Sequence, residues 1–224
     1  MQSVHSARGS MPEDASAASG FGLAEFGAPW GRCDRVLIAV HGRDRDANEL
    51  PNGFAARSGC KTTRVLAPYA RGKNWYEGRY DAPFAENADA VKAGLEWIDT
   101  AFERAAENAF PASKVVLAGF SQGGCMVAEY LLGGAHRPAA AAIFTGSVLD
   151  IAHRRASAKL EGMPVLLSGG AGDPWLPMDD LRATGALLEA AGANVELHMF
   201  SDGDHVVRDQ EMSLLGQLVK GVAA

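Results

Sequence analysis

The chain has 224 residues, 47% of them hydrophobic and 21% charged, and 27 acidic against 21 basic side chains leave a formal charge of −6. This is an ordinary globular composition, long enough to bury a sizeable core, which argues against wholesale disorder, collagen and coiled coil. With no basic excess and no apolar run near the roughly 18 residues of a spanning helix, neither nucleic acid nor a membrane span is expected.

Residues 1–20 are small and polar, without a hydrophobic stretch to offset the entropy of ordering, and are expected to form a loose tail. They carry no basic-then-apolar signal pattern, so a cytoplasmic location is expected. From residue 21 onward, short runs rich in Val, Ile and Leu alternate with longer amphipathic stretches. The expected strands are Arg35–Val40, Thr63–Ala67, Lys114–Gly119, Ala139–Thr145, Pro164–Ser168 and Val195–Phe200. Several are continuously apolar, as strands covered on both faces of a parallel sheet must be.

Between them the spacing predicts helices. Asn87–Ala109 carries Val91, Leu95, Ile98 and Phe102 at intervals of three and four and is closed by Pro111. Gln122–Leu132 runs into Gly133 and Gly134, Met178–Ala191 into Gly192, and Val206–Val222 finishes the pattern. The alternation without a compositional break implies a single α/β domain over residues 21–224, with a mostly parallel, doubly wound sheet flanked by helices. The stretch Pro68–Glu86, with three tyrosines and a tryptophan, is too long and aromatic for a mere connector and is expected to be a packed, functional loop.

The strongest chemical signal is Gly119-Phe120-Ser121-Gln122-Gly123, a G-x-S-x-G element with a strand before it and a helix after it. A serine at the tip of so tight a turn stands clear of the sheet. The glycines two residues to either side let strand and helix approach, and the helix N-terminus favours a developing oxyanion. The phosphate-loop pattern G-x-x-x-x-G-K is absent.

Serine alone is a poor nucleophile and needs a base, itself oriented by a carboxylate. Asp173 and His205 follow in that order, each just past a predicted strand, at the edge where open α/β sheets carry their sites. Asp150, Asp202 and Asp204 are rivals for the carboxylate role; Asp173 is preferred for the rigid Gly-rich turn it shares with Pro174. His198, within a strand, and His41, at a strand end, read as structural. The oxyanion donors expected are the N–H groups of Gln122 and Arg43. Trp75, Tyr76, Trp175 and Leu176 are the expected pocket walls, with Met178 a further candidate.

Taken together, His41-Gly42, the Trp75-Tyr76 loop, GFSQGG (119–124), GAGDPWLP (170–177) and GDH (203–205) resemble the phospholipase/carboxylesterase family of serine hydrolases, over nearly everything from residue 33. The resemblance implies an α/β-hydrolase fold. It also implies Ser121, Asp173 and His205 as catalytic triad, Arg43 and Gln122 at the oxyanion hole, and no cofactor or metal. The family's HGLGD loop reads HGRDRD here, so a more polar pocket entrance and a small-molecule ester substrate are expected. Two other functions stay open at this point: a dienelactone-type hydrolase, which would use cysteine at position 121, and a hydrolase-fold binder without activity. Cys33, Cys60 and Cys125 form no metal or disulfide framework, though a Cys33–Cys60 bridge and a homodimer also stay open.

Overall fold

The computed structural model describes residues 20–156 and 159–222, so the expected tail lies outside the described residues apart from Gly20. A seven-stranded sheet runs in the order β1-β3-β2-β4-β5-β6-β7. Its strands are β1 (Phe21–Gly27), β2 (Arg35–Val40), β3 (Thr63–Ala70), β4 (Val115–Phe120), β5 (Ala140–Phe144), β6 (Pro164–Gly170) and β7 (Asn194–Phe200). All neighbours are parallel except β1, which runs antiparallel to β3. The helices are α1 (Glu49–Arg57), α2 (Phe84–Glu107), α3 (Gln122–Gly133), α4 (Met178–Ala190) and α5 (Asp209–Gly221).

Period-two alternation sorts the buried strand residues between two layers. On one face Val115, Leu117 and Ile143 pack beneath Val91, Ile98 and Phe102 of α2, Met126 of α3 and Leu181 and Leu188 of α4. On the other, Val116, Ala118 and Phe144 meet Leu50 and Phe54 of α1 and Met212, Leu215 and Val219 of α5. Helices therefore cover both faces, and β4 sits mid-sheet with its carboxyl end between those of β2 and β5.

Three differences from the sequence expectation matter. β1 was not foreseen; pairing Phe21 with Ala70 through Gly27 with Arg64, it draws β3 three residues beyond Ala67. α1 was hidden by Pro51 and Gly53, but Pro51 falls in its first turn, where the missing N–H has no intrahelical acceptor anyway. α2 begins at Phe84 rather than Asn87, and α5 at Asp209 rather than Val206, because 201–208 is a loop. Cys33, Cys60 and Cys125 are free thiols, as expected of so sparse a set, and the open alternative of a Cys33–Cys60 bridge is ruled out. No helix among the described residues is long and apolar enough to cross a membrane.

Candidate active site

Ser121 links β4 to α3 with φ 56° and ψ −121°, a backbone conformation that L residues rarely hold. The turn is forced by close approach. A Cβ at Gly119 would stand 2.2 Å from the Gly123 carbonyl oxygen, and one at Gly123 would stand 2.2 Å from that of Val40 and 2.4 Å from that of His41. Only hydrogen at both positions lets α3 start so near the sheet. Gln122 is the first residue of α3, so its N–H belongs to the turn that finds no intrahelical carbonyl.

Three side chains from three strand ends meet here. His205, in the loop after β7, has Nε2 2.8 Å from the Ser121 Oγ and Nδ1 2.7 Å from the Asp173 Oδ2. Asp173, after β6, is held on its other side, where Oδ1 accepts the N–H groups of Trp175 at 2.8 Å and Leu176 at 3.2 Å. Its carboxylate is fully buried, while His205 keeps 22% of its side-chain exposure at the cleft. The Phe120 ring lies 5.1 Å from the imidazole. The loop bearing His205 is clamped by Arg208, which bonds Asp202, donates to the Asp204 carbonyl at 2.9 Å and stacks over Phe200. Two of the three rival carboxylates are engaged elsewhere: Asp202 with Arg208, and Asp150 with His153 at 2.7 Å and the Phe84 N–H at 3.1 Å.

The loop between β3 and α2 is packed, and the residue after Ser121 packs it. The Gln122 carboxamide oxygen accepts the Trp75 N–H at 2.9 Å, and its nitrogen donates to Asn74 Oδ1 at 2.8 Å and the Tyr76 carbonyl at 2.7 Å. Arg43, after β2, donates from Nη2 to the carbonyls of Tyr76 at 2.8 Å and Gly78 at 2.9 Å. His41 accepts the Ala70 N–H at Nε2, so Nδ1 carries the proton and donates to the Gly42 carbonyl at 2.7 Å. Burial pushes its pKa down, which keeps the ring neutral in this structural role.

Together these pieces wall an open cleft of about 300 Å³ that includes Ser121, His205, Arg43, Gln122, Tyr76, Trp175 and Leu176. Trp75, expected on the wall, lies instead in the core at 1% exposure, its Nε1 donating to the His41 carbonyl at 2.9 Å. Met178 likewise packs against the core. Sequence reasoning missed Arg45, Arg79, Tyr80 and Thr145 on the cleft. Tyr80 was within the aromatic loop; its hydroxyl donates to Asp180 at 2.8 Å and ties that loop to α4. Thr145 is β-branched at φ 50° and its buried hydroxyl finds no partner among the described residues, a strain no sequence pattern signals. Cys125, on the cleft floor, is buried, and burial pushes its thiol up, away from the reactive thiolate.

A strand-turn-helix serine with imidazole and carboxylate in line, at the carboxyl edge of a mostly parallel sheet, belongs to the α/β-hydrolase fold. The family model described as Phospholipase/Carboxylesterase matches residues 60–221, and the chain belongs to that family, whose members are hydrolases. Among solved structures, a phospholipase/carboxylesterase from Dyadobacter fermentans is similar with a TM-score of 0.80 and 23% identity, over 88% of this chain and 95% of that one. The carboxylesterase of Bacillus cereus gives 0.74 and 21%, over 92% and 97%. That of Mesorhizobium loti gives 0.74 and 22%, over 90% and 95%. A comparison with curated proteins found no match.

Proposed function

We propose that this protein is a serine carboxylesterase that hydrolyses small or medium carboxylic esters through an acyl-enzyme on Ser121, with thioesters and lysophospholipids as chemically related substrates. The observation that carries this reading is the unbroken relay from Ser121 through His205 to Asp173, at 2.8 and 2.7 Å. As Oγ attacks the ester carbonyl, Nε2 of His205 takes its proton. Nδ1–H stays bonded to Asp173, which remains ionised and steadies the imidazolium. The tetrahedral oxyanion is met by the N–H groups of Gln122 and Arg43. Collapse expels the alkoxide, which takes the proton from Nε2. Water then repeats the sequence on the acyl-enzyme and frees the acid and Ser121.

The cleft is open and about 300 Å³, room for a small or medium ester, with Tyr76, Phe120, Trp175 and Leu176 among its lining. The dienelactone-type reading needs a cysteine nucleophile, whereas position 121 is serine and the Cys125 thiol is buried and held protonated. A fluorophosphonate probe tests the proposal. Labelling is expected at Ser121 alone, together with turnover of p-nitrophenyl esters that declines with acyl length. Folded protein that neither labels nor turns over any ester of such a panel would leave the non-catalytic binder as the better account.

A further inference from the structure

Among the described residues, strand β7 closes one side of the sheet and pairs only with β6, one residue against one from Asn194 to Phe200 without a bulge. At its two ends the Phe200 carbonyl accepts the Ala171 N–H at 2.7 Å and the Asn194 N–H donates to Met163 at 2.8 Å, both toward β6. In a strand the N–H and C=O of one residue point the same way and those of the next point oppositely. The backbone groups of Val195, Leu197 and Met199 therefore point out of the sheet, at the free edge. Edge strands are commonly guarded by lysine, proline or a bulge. β7 has none of these, and its Leu197 and Met199 are 37% and 49% exposed on the face where Val195 packs against the core.

The sequence of this edge is complementary to itself. With a two-fold axis through Leu197, an antiparallel copy opposes all seven residues. Val195 then faces the partner copy's Met199, and the two Leu197 face each other as a hydrogen-bonded pair, as their outward backbone groups require. On the opposite face Glu196 faces the second copy's His198 in the closer, non-hydrogen-bonded pairing, where a carboxylate and an imidazole can hydrogen-bond. Within one chain these two side chains already meet at 2.6 Å, with 70% and 25% exposure. A shift of the axis to Glu196 or to His198 would set carboxylate against carboxylate or imidazole against imidazole and shorten the ladder, so the full-length register is also the one these cross-strand pairs favour.

We propose that two copies of this chain associate through β7, joining their sheets into one continuous antiparallel seam with Leu197 on its axis. The test is the mass of the full chain in solution, by sedimentation or light scattering across a concentration series. The wild type should reach twice its 23.5 kDa. Leu197→Lys sets like charges across the axis and should raise the dissociation midpoint about a hundredfold. Glu196→Arg and His198→Glu should each weaken self-association, and mixing the two single variants should restore a dimer between them, a rescue in trans that the 2.6 Å contact within one chain cannot produce. Circular dichroism establishes that each variant is folded. A wild type that stays monomeric at high concentration overturns the proposal. So does a dimer unaffected by Leu197→Lys, or single charge variants that fail to pair with each other when mixed.

Discussion

Asp173 divides its carboxylate between two tasks: Oδ2 stands 2.7 Å from Nδ1 of His205, while Oδ1 accepts the backbone N–H groups that follow it. The second task fixes the first, because a carboxylate bonded to its own turn cannot rotate away. In Asp173→Asn the amide oxygen can keep the turn, leaving the NH₂ to face His205. The imidazole must then accept at Nδ1 and carry its proton on Nε2, where it cannot take one from Ser121. Turnover of p-nitrophenyl acetate is expected to fall about 10⁴-fold, with Ser121→Ala falling about 10⁶-fold. Either variant retaining a tenth of the wild-type rate would show that the relay is not the catalytic one.

Gln122 is held to the aromatic loop through three hydrogen bonds. Gln122→Met keeps the bulk and the backbone N–H but strands the buried Trp75 N–H and weakens the hold on Tyr76. The cost expected is about 1–3 kcal/mol of stability and, as the cleft wall loosens, about a 10- to 100-fold loss in kcat/KM. Hydrogen exchange should rise across 74–78 specifically. Unaltered exchange there would mean the loop is held by other contacts.

The strained serine turn rests on glycine. Gly123→Ala puts a methyl 2.2 Å from the Val40 carbonyl, so α3 or β2 must shift, at about 2–3 kcal/mol in urea unfolding and with the loss of most activity. Gly133→Ala is the control: nothing lies within 4 Å of its added carbon, and removing a helical glycine should be neutral or stabilising by up to about 1 kcal/mol.

Behind the cleft, Glu129 is 3% exposed and Arg154 21%, the two joined by hydrogen bonds of 2.9 and 3.0 Å, while Glu129 also accepts the Leu149 N–H at 2.8 Å. Burial raises the Glu129 pKa, and Arg154 offsets part of that rise. Arg154→Met leaves the carboxylate buried without its cation and should cost about 3–5 kcal/mol near pH 7.5. Because the folded state then binds this proton more tightly than the unfolded chain does, the penalty should shrink as pH falls toward 5 and grow as pH rises. A penalty equal at both pH values would mean that Glu129 is not the group responsible.

The fold was legible wherever burial wrote itself into the pattern. Strands covered on both faces read as unbroken apolar runs, and α2 showed its stripe through Val91, Ile98 and Phe102. β1 and α1 were invisible for a common reason. The half-buried β1 owes its strand to pairing with β3, and α1 owes its helix to packing Leu50 and Phe54 against the sheet, neither of which local sequence contains. In the site, the meeting of Ser121, Asp173 and His205 at one sheet edge could be read from chain order because each follows a strand. Trp75 could not be assigned correctly: an aromatic residue in a loop near the nucleophile reads the same whether it faces the cleft or, as here, hydrogen-bonds a strand-end carbonyl from within the core. Thr145 and Arg79 reach the cleft through the geometry of turns, which leaves no periodicity to read.

Trp175 has one further consequence. Its indole stands on the rim at 66% exposure, the sole tryptophan among the large hydrophobic side chains so exposed in the described residues, while Trp75 is sealed inside. Whatever enters the cleft displaces water from that ring, so the molecule carries a native optical gauge: emission should move to the blue on occupancy, without any attached dye.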